Sequence, residues 1–289
     1  MHLSTRWISS VCLYRPVFAA LHASQERCEK HRFHDMQVNG IQLSVVMPYY
    51  KRLREFQQVL PLNARYFSRP EYEVVLSLDE PSEEAELLRV LRDFPSIRWR
   101  VLVNDFDHPW RPPCRAINVG VRHALGENVL VVSPESAFIT DVPALGLEHI
   151  AANPGTAALG RVCFATFDSL EAHEGSLEKT SAPPWHFYGS ICVPRERLLR
   201  IHGYDEGFDR WGGDDDNLRI RLMQTETYQH PLDDMRIVHL SFEARKVRQA
   251  AEPPTPEYAQ RIFNPASPQA NPDGWGESFQ RVAFDWRKQ

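Results

Sequence analysis

The strongest constraint on the fold of this chain is the alternation between Leu43 and Val132. Four short apolar runs, Leu43–Met47, Glu73–Leu78, Trp99–Val103 and Asn128–Val132, are separated by three segments with helical spacing. Runs this apolar suit strands buried on both faces. Between them, Leu53, Phe56, Val59 and Leu60 recur on one helical face, as do Leu87, Leu88 and Leu91, with Ser82 placed to cap the second helix. Cys114–Leu125 reads as a third helix, stopped by Gly126. Strands joined through helices imply an α/β fold, a mostly parallel central sheet flanked by helices with right-handed crossovers. Such sheets bind ligands beyond the carboxyl ends of their strands. Those ends carry Tyr49–Lys51, Asp79–Glu80, Asn104–Asp105 and Glu135.

The second half is less regular. Ala157–Ala165, Tyr188–Val193 and Met235–Leu240 read as strands, Arg195–Ile201 as a helix and Thr166–Pro184 as a polar, mobile loop. Residues 252–277 carry many prolines plus Asn and Gly. The expected organisation is a poorly ordered extension over 1–40, one domain over 41–250 and an irregular tail over 251–289. A length of 289 residues with 43% apolar content supports one substantial core, or at most two small ones. A net charge of −5 gives no footprint for nucleic acid. Five dispersed cysteines without a CxxC pair suggest reduced thiols of a cytosolic protein, not a disulfide framework or a zinc site. No run approaches the ~20 apolar residues of a membrane helix. Trp7–Ala23, the one candidate, is interrupted by Arg15–Pro16 and reads as a leader or a degraded signal anchor. A cytoplasmic location, free or peripheral to the membrane, is expected.

The chemistry concentrates in Gly203–Tyr204–Asp205–Glu206–Gly207–Phe208–Asp209–Arg210–Trp211–Gly212–Gly213–Asp214–Asp215–Asp216. Two glycines permit a tight turn, and three carboxylates then open a helix carrying Leu218 and Leu222. An acidic helix cap beside a core tryptophan explains part of this pattern, because acids are favoured at helix N-termini. It does not explain why three are needed. Crowded carboxylates raise one another's affinity for a proton or a cation, which suits a general base acting on a hydroxyl.

The segment Trp211–Asp216 resembles the Trp-Gly-Gly-Glu-Asp-Asp motif of the β-1,4-galactosyltransferases and of related bacterial polysaccharide polymerases. Gly203–Phe208 resembles the stretch that precedes that motif. Leu43–Arg52 is similar to the opening strand and loop of family 2 glycosyltransferases, Glu73–Asp79 to their second strand and Arg115–Ala116–Ile117–Asn118–Val119–Gly120 to their nucleotide-bordering helix. The resemblance covers about residues 42–242 and implies a Rossmann-like nucleotide-sugar transferase (GT-A) fold. It implies that Asp215 is the catalytic base and that Asp214 binds acceptor hydroxyls. Trp211, Gly212 and Trp185 would line the acceptor pocket. Pro48, Tyr50, Asp79, Arg115, Asn118 and Glu135 would hold the donor.

The family's metal-binding Asp-x-Asp is replaced here by Ser133–Pro134–Glu135, while His239 stands where a late-strand histidine closes the metal site. The resemblance thus leaves Glu135 and His239 to hold Mn2+ or Mg2+. A solvated loop acid and a core histidine are the plainer readings of the two. Without a metal, Arg115, Lys51 or Arg52 could neutralise the diphosphate. His186 is a lesser candidate base.

The expected function is inverting transfer of a Gal- or GalNAc-type hexose from a UDP-sugar to a glycan, glycolipid or other hydroxyl acceptor, as in polysaccharide biosynthesis. A degenerate member that binds without transfer is the alternative. A nucleotidyltransferase ranks last, because Tyr49–Arg52 contains no glycine.

Overall fold

The computed structural model describes residues 40–187, 189–242, 255–279 and 281–288. The expected extension, apart from Gly40, lies outside the described residues, as does Tyr188. The four apolar runs form β1 (Leu43–Tyr49), β2 (Tyr72–Leu78), β3 (Trp99–Val103) and β4 (Asn128–Val131). They lie in the order β4-β1-β2-β3, all parallel, with Leu43 opposite both Tyr72 and Asn128. The crossovers are α1 (Leu53–Phe67), α2 (Glu84–Arg92) and α3 (Cys114–His123).

Alternation along each strand decides which core a side chain enters. Leu43, Val45 and Met47 join Phe56 and Leu60 of α1 in one core. Val46 and Val75 join Ile117 and Val119 of α3 in another. Full burial of each such side chain contributes about 1.5–3 kcal/mol, so both faces of β1 are committed to packing and only its carboxyl end is free for a ligand. Gly120 lets α3 lie close to the sheet: a Cβ there would stand 2.5 Å from Cγ1 of Val46.

Beyond β4 follow β5 (Ser136–Phe138), α4 (Val142–Ala152), β6 (Thr156–Thr166), β7 (Ile191–Pro194), α7 (Arg195–Arg200), α8 (Asp214–Gln224) and β8 (Tyr228–Ser241). With β9 (Arg281–Asp285) at the far edge, the full order is β5-β8-β6-β7-β4-β1-β2-β3-β9. This is a mixed sheet, not the mostly parallel one expected. The pairings β3–β9, β4–β7, β5–β8 and β6–β7 are antiparallel, and β6–β8 is parallel. A short apolar run encodes burial but not direction, and β7 enters beside β4 from the opposite end.

Two further expectations are corrected. The polar stretch 166–184 contains α5 (Phe167–Ala172) and α6 (Leu177–Thr180). Their N-caps are Thr166 and Ser176, whose hydroxyls accept from the amides of Ser169 and Lys179. The supposed irregular tail supplies α9 (Pro256–Phe263) and the edge strand β9 (Arg281–Asp285). Thr255 caps α9 and Pro256 opens it, a start signal hidden among the other prolines. Among the described residues no helix is long and apolar enough to cross a membrane.

Candidate active site

Helix α8 begins at a backbone corner. Gly212 and Gly213 hold φ of +93° and +92°, a region that costs other residues strain. A Cβ on Gly213 would also stand 2.5 Å from Cδ1 of Ile262. The corner turns Asp214, Asp215 and Asp216 into the first turn of α8, while Leu218 and Leu222 bury in the second core. The buried Arg221 ties the helix down: Nε donates to Oδ1 of Asn217 at 2.7 Å and a terminal nitrogen to the carbonyl of Ile201 at 3.0 Å. Trp211 is 51% exposed. It is therefore not the core tryptophan of the plainer reading.

The acids open into a cleft of about 490 Å3. Its floor is the carboxyl ends of β1 and β4, with Pro48, Val132 and Ser133. Trp211, Gly212 and all three aspartates form one wall, and Trp110, Pro112 and Pro113 line it as well. This is where the strand order reverses, since β2 and β4 flank β1. Asp215 is pushed up to about 7, first by removal from water and then by Asp214 and Asp216. A hydrogen bond from the Gly189 backbone and the charge of Arg219 oppose the rise. Asp214 is raised as well, chiefly by desolvation. A half-buried carboxylate titrating near neutrality can take a proton from a bound hydroxyl.

His239 also lines this cleft, with Glu135 directly behind it. Oε1 of Glu135 lies 3.3 Å from Nε2 of His239 and 3.2 Å from Nε of Arg52. Burial alone would raise the Glu135 carboxyl, but His239 and Arg52 outweigh it and hold it below the usual range. Oε2 is buried and has no hydrogen-bond partner. Among the described residues no three His, Cys, Asp or Glu side chains converge as a metal cage.

A family model described as the N-terminal domain of galactosyltransferase matches residues 179–240, which contain the whole Gly-Gly-acid corner. The mannosyltransferase PcManGT from Pyrobaculum calidifontis, solved with GDP-Man and Mn2+, superposes with a TM-score of 0.52 at 19% identity over 71% of this chain and 58% of that one. GalNAc-T7, solved with UDP, GalNAc and Mn2+, gives 0.50 at 15% identity over 70% of this chain and 44% of that one. The fold is GT-A, and the motif segment is galactosyltransferase-like. Both are those of glycosyltransferase enzymes. The chain spans about half the length of these two solved structures, and no curated protein sequence matches it.

Within this GT-A frame, several residues expected at the donor do other work. Asp79 is 3% exposed, and Arg111 grips its carboxylate through Nε at 2.9 Å and through a second, shorter contact. Nε2 of His108 lies 3.3 Å from the same carboxylate. Asp79 thus anchors the loop 104–113. Tyr50 serves the same loop, donating to the carbonyl of His108 at 3.1 Å and stacking on its ring. Asn118 is fully buried. Its Nδ2 donates to the carbonyl of Tyr204 and to Glu206, and its Oδ1 accepts from the Tyr204 amide. It braces the motif and does not face the cleft. Trp185 is absent from the cleft lining and packs under Arg161, 4.7 Å from the ring. Arg115 is half-buried and likewise outside the lining. His186 is within it.

Sequence reasoning missed Trp110, 46% exposed inside the cleft. The available signal was a large aromatic side chain stranded between prolines in a loop after a strand. It also missed Tyr258, whose hydroxyl reaches the carbonyls of Arg210 and Gly212, both at 3.1 Å.

Proposed function

We propose that this chain is an inverting hexosyltransferase that moves a Gal- or GalNAc-type sugar from a UDP-sugar to the hydroxyl of a glycan or glycolipid. One observation carries the reading: Asp215 lies in the cleft at the sheet's switch point and titrates near 7. There, Asp215 takes the proton of the acceptor hydroxyl as that oxygen attacks the anomeric carbon. The bond from that carbon to the diphosphate oxygen breaks with its electron pair, and UDP leaves. A single displacement inverts the anomeric centre. Asp214 accepts a hydrogen bond from a second acceptor hydroxyl, and the exposed face of Trp211 covers the apolar side of the pyranose.

The GT-A neighbours were solved with Mn2+. Glu135 and His239 fit two places in such a shell, because the unpartnered Oε2 of Glu135 and the imidazole are oxygen and nitrogen donors of suitable hardness. Diphosphate and water would complete it. When bound, the cation would supply charge stabilisation to the departing diphosphate. Arg52, already 3.2 Å from Glu135, adds positive charge at the same place.

Release of UDP from a panel of UDP-sugars, with and without p-nitrophenyl glycosides as acceptors, tests the proposal. Turnover that vanishes in Asp215→Asn while UDP binding persists supports it. Equal loss of both would reduce Asp215 to a helix cap. The loss of one acid at Ser133–Pro134–Glu135 favours a second reading, a protein that binds sugar nucleotide without transferring it. Binding of UDP-sugars with no turnover on any of them would select that reading.

A further inference from the structure

The family match ends at residue 240, yet the turn that it contains is held by residues beyond it. The hydroxyl of Tyr258 shares its proton between the carbonyls of Arg210 and Gly212, which flank Trp211. Its ring packs edge-on against Phe208 at 5.5 Å, with the Arg210 guanidinium 4.5 Å from its centre. One turn on, Arg261 pairs with both oxygens of Asp205 at 2.7 and 2.9 Å, and its carbonyl accepts from Asn217 of α8 at 2.7 Å. Ile262 fills the space that a side chain on Gly213 would need. Further along, Asn271 accepts from the Glu206 amide and donates to the carbonyls of Tyr204 and His202. The Gly276 amide donates to Glu206.

Every link runs from the C-terminal segment to the stretch 202–217 that delivers Trp211 and the acids. A packing segment needs apolar contacts only. This one satisfies backbone carbonyls on both sides of a half-exposed tryptophan, in a turn whose two glycines would otherwise leave it free to move.

We infer that residues 255–276 form a clasp that positions the Trp211–Gly213 turn for the acceptor, with Tyr258 as the positioning residue. The inference rests on the transferase reading for its substrate and on geometry for the clasp. Tyr258→Phe keeps the ring and deletes both hydroxyl bonds. With the best acceptor among p-nitrophenyl glucoside, galactoside and N-acetylglucosaminide, its KM should rise about tenfold, the worth of one to two hydrogen bonds. The KM for the UDP-sugar and the rate of UDP-sugar hydrolysis by water should stay within twofold. Amide hydrogen exchange should quicken in the peptide spanning 208–213 and stay unchanged in β1–β3. An unchanged acceptor KM with unchanged exchange overturns the inference. So does a parallel rise in donor KM with faster exchange throughout the sheet, which would mark Tyr258 as a general stabiliser. If the unaltered protein transfers no sugar, the transferase reading fails alone, and exchange at 208–213 still decides whether the clasp exists.

Discussion

Asp215→Asn should stabilise the protein while abolishing transfer, and the gain should depend on pH. The Asp215 carboxyl is displaced from its ordinary 3.8 to about 7. The folded state therefore holds this proton more tightly than the unfolded chain does. The sign follows from linkage: the carboxylate costs nothing below about pH 4, its penalty develops as pH rises, and it is complete above about pH 7. At about 1.4 kcal/mol per pH unit the displacement sets a ceiling of roughly 4 kcal/mol. The half-exposed mouth of the cleft screens part of this, and an amide at position 215 forgoes the attraction of the α8 N-terminus, worth about 0.3–1 kcal/mol. A net gain of about 2 kcal/mol at pH 8 remains, or roughly 4–8 °C in Tm for a domain of this size. Thermal denaturation of both proteins at pH 4.5 and pH 8 measures it. Transfer by the unaltered enzyme should rise with pH through about 7 and then level, as a base of that affinity requires. If Asp215→Asn is less stable at pH 8, or differs from the parent equally at both pH values, Asp215 is a favourable cap and not a strained base.

Glu135→Gln should abolish the restoration of activity by Mn2+ after EDTA treatment. An EDTA-indifferent parent enzyme would refute a cation held by Glu135 and His239. Trp110→Ala should weaken UDP binding about tenfold by calorimetry, because a base stacked on an aromatic ring is worth about 1–3 kcal/mol and His108 and Arg111 pin the loop on either side of Trp110; unchanged affinity would place the nucleotide elsewhere. Arg221→Met should cost about 1–3 kcal/mol in denaturant unfolding, the penalty of leaving buried acceptors unpaired. It strips the donor from the carbonyl of Ile201 and from Oδ1 of Asn217 inside the second core, and a loss under 1 kcal/mol would contradict that account.

The parallel half of the sheet was legible because burial on both faces makes β1 to β4 continuous apolar runs, and helical spacing between them marks the crossovers. The acid corner was legible for a related reason. Two glycines at positive φ and three adjacent carboxylates are costly in any setting that does not use them. What stayed hidden depends on partners far away in sequence. Asp79 ends its strand as a ligand residue would, but Arg111 has already taken its carboxylate, and no local pattern announces a pairing across 32 positions. Asn118 sits on a helix bordering the cleft and points the other way, where Tyr204 and Glu206 consume both ends of its amide. Proline density concealed the C-terminal segment, although Thr255–Pro256 is a helix start and Arg281–Asp285 completes an edge beside β3. The same logic separates the two halves of the site. In the proposed reaction the acids act through their own side chains, and such groups leave a mark in sequence. The clasp acts through backbone carbonyls of Arg210 and Gly212, groups that every residue possesses, so only the fold can reveal it.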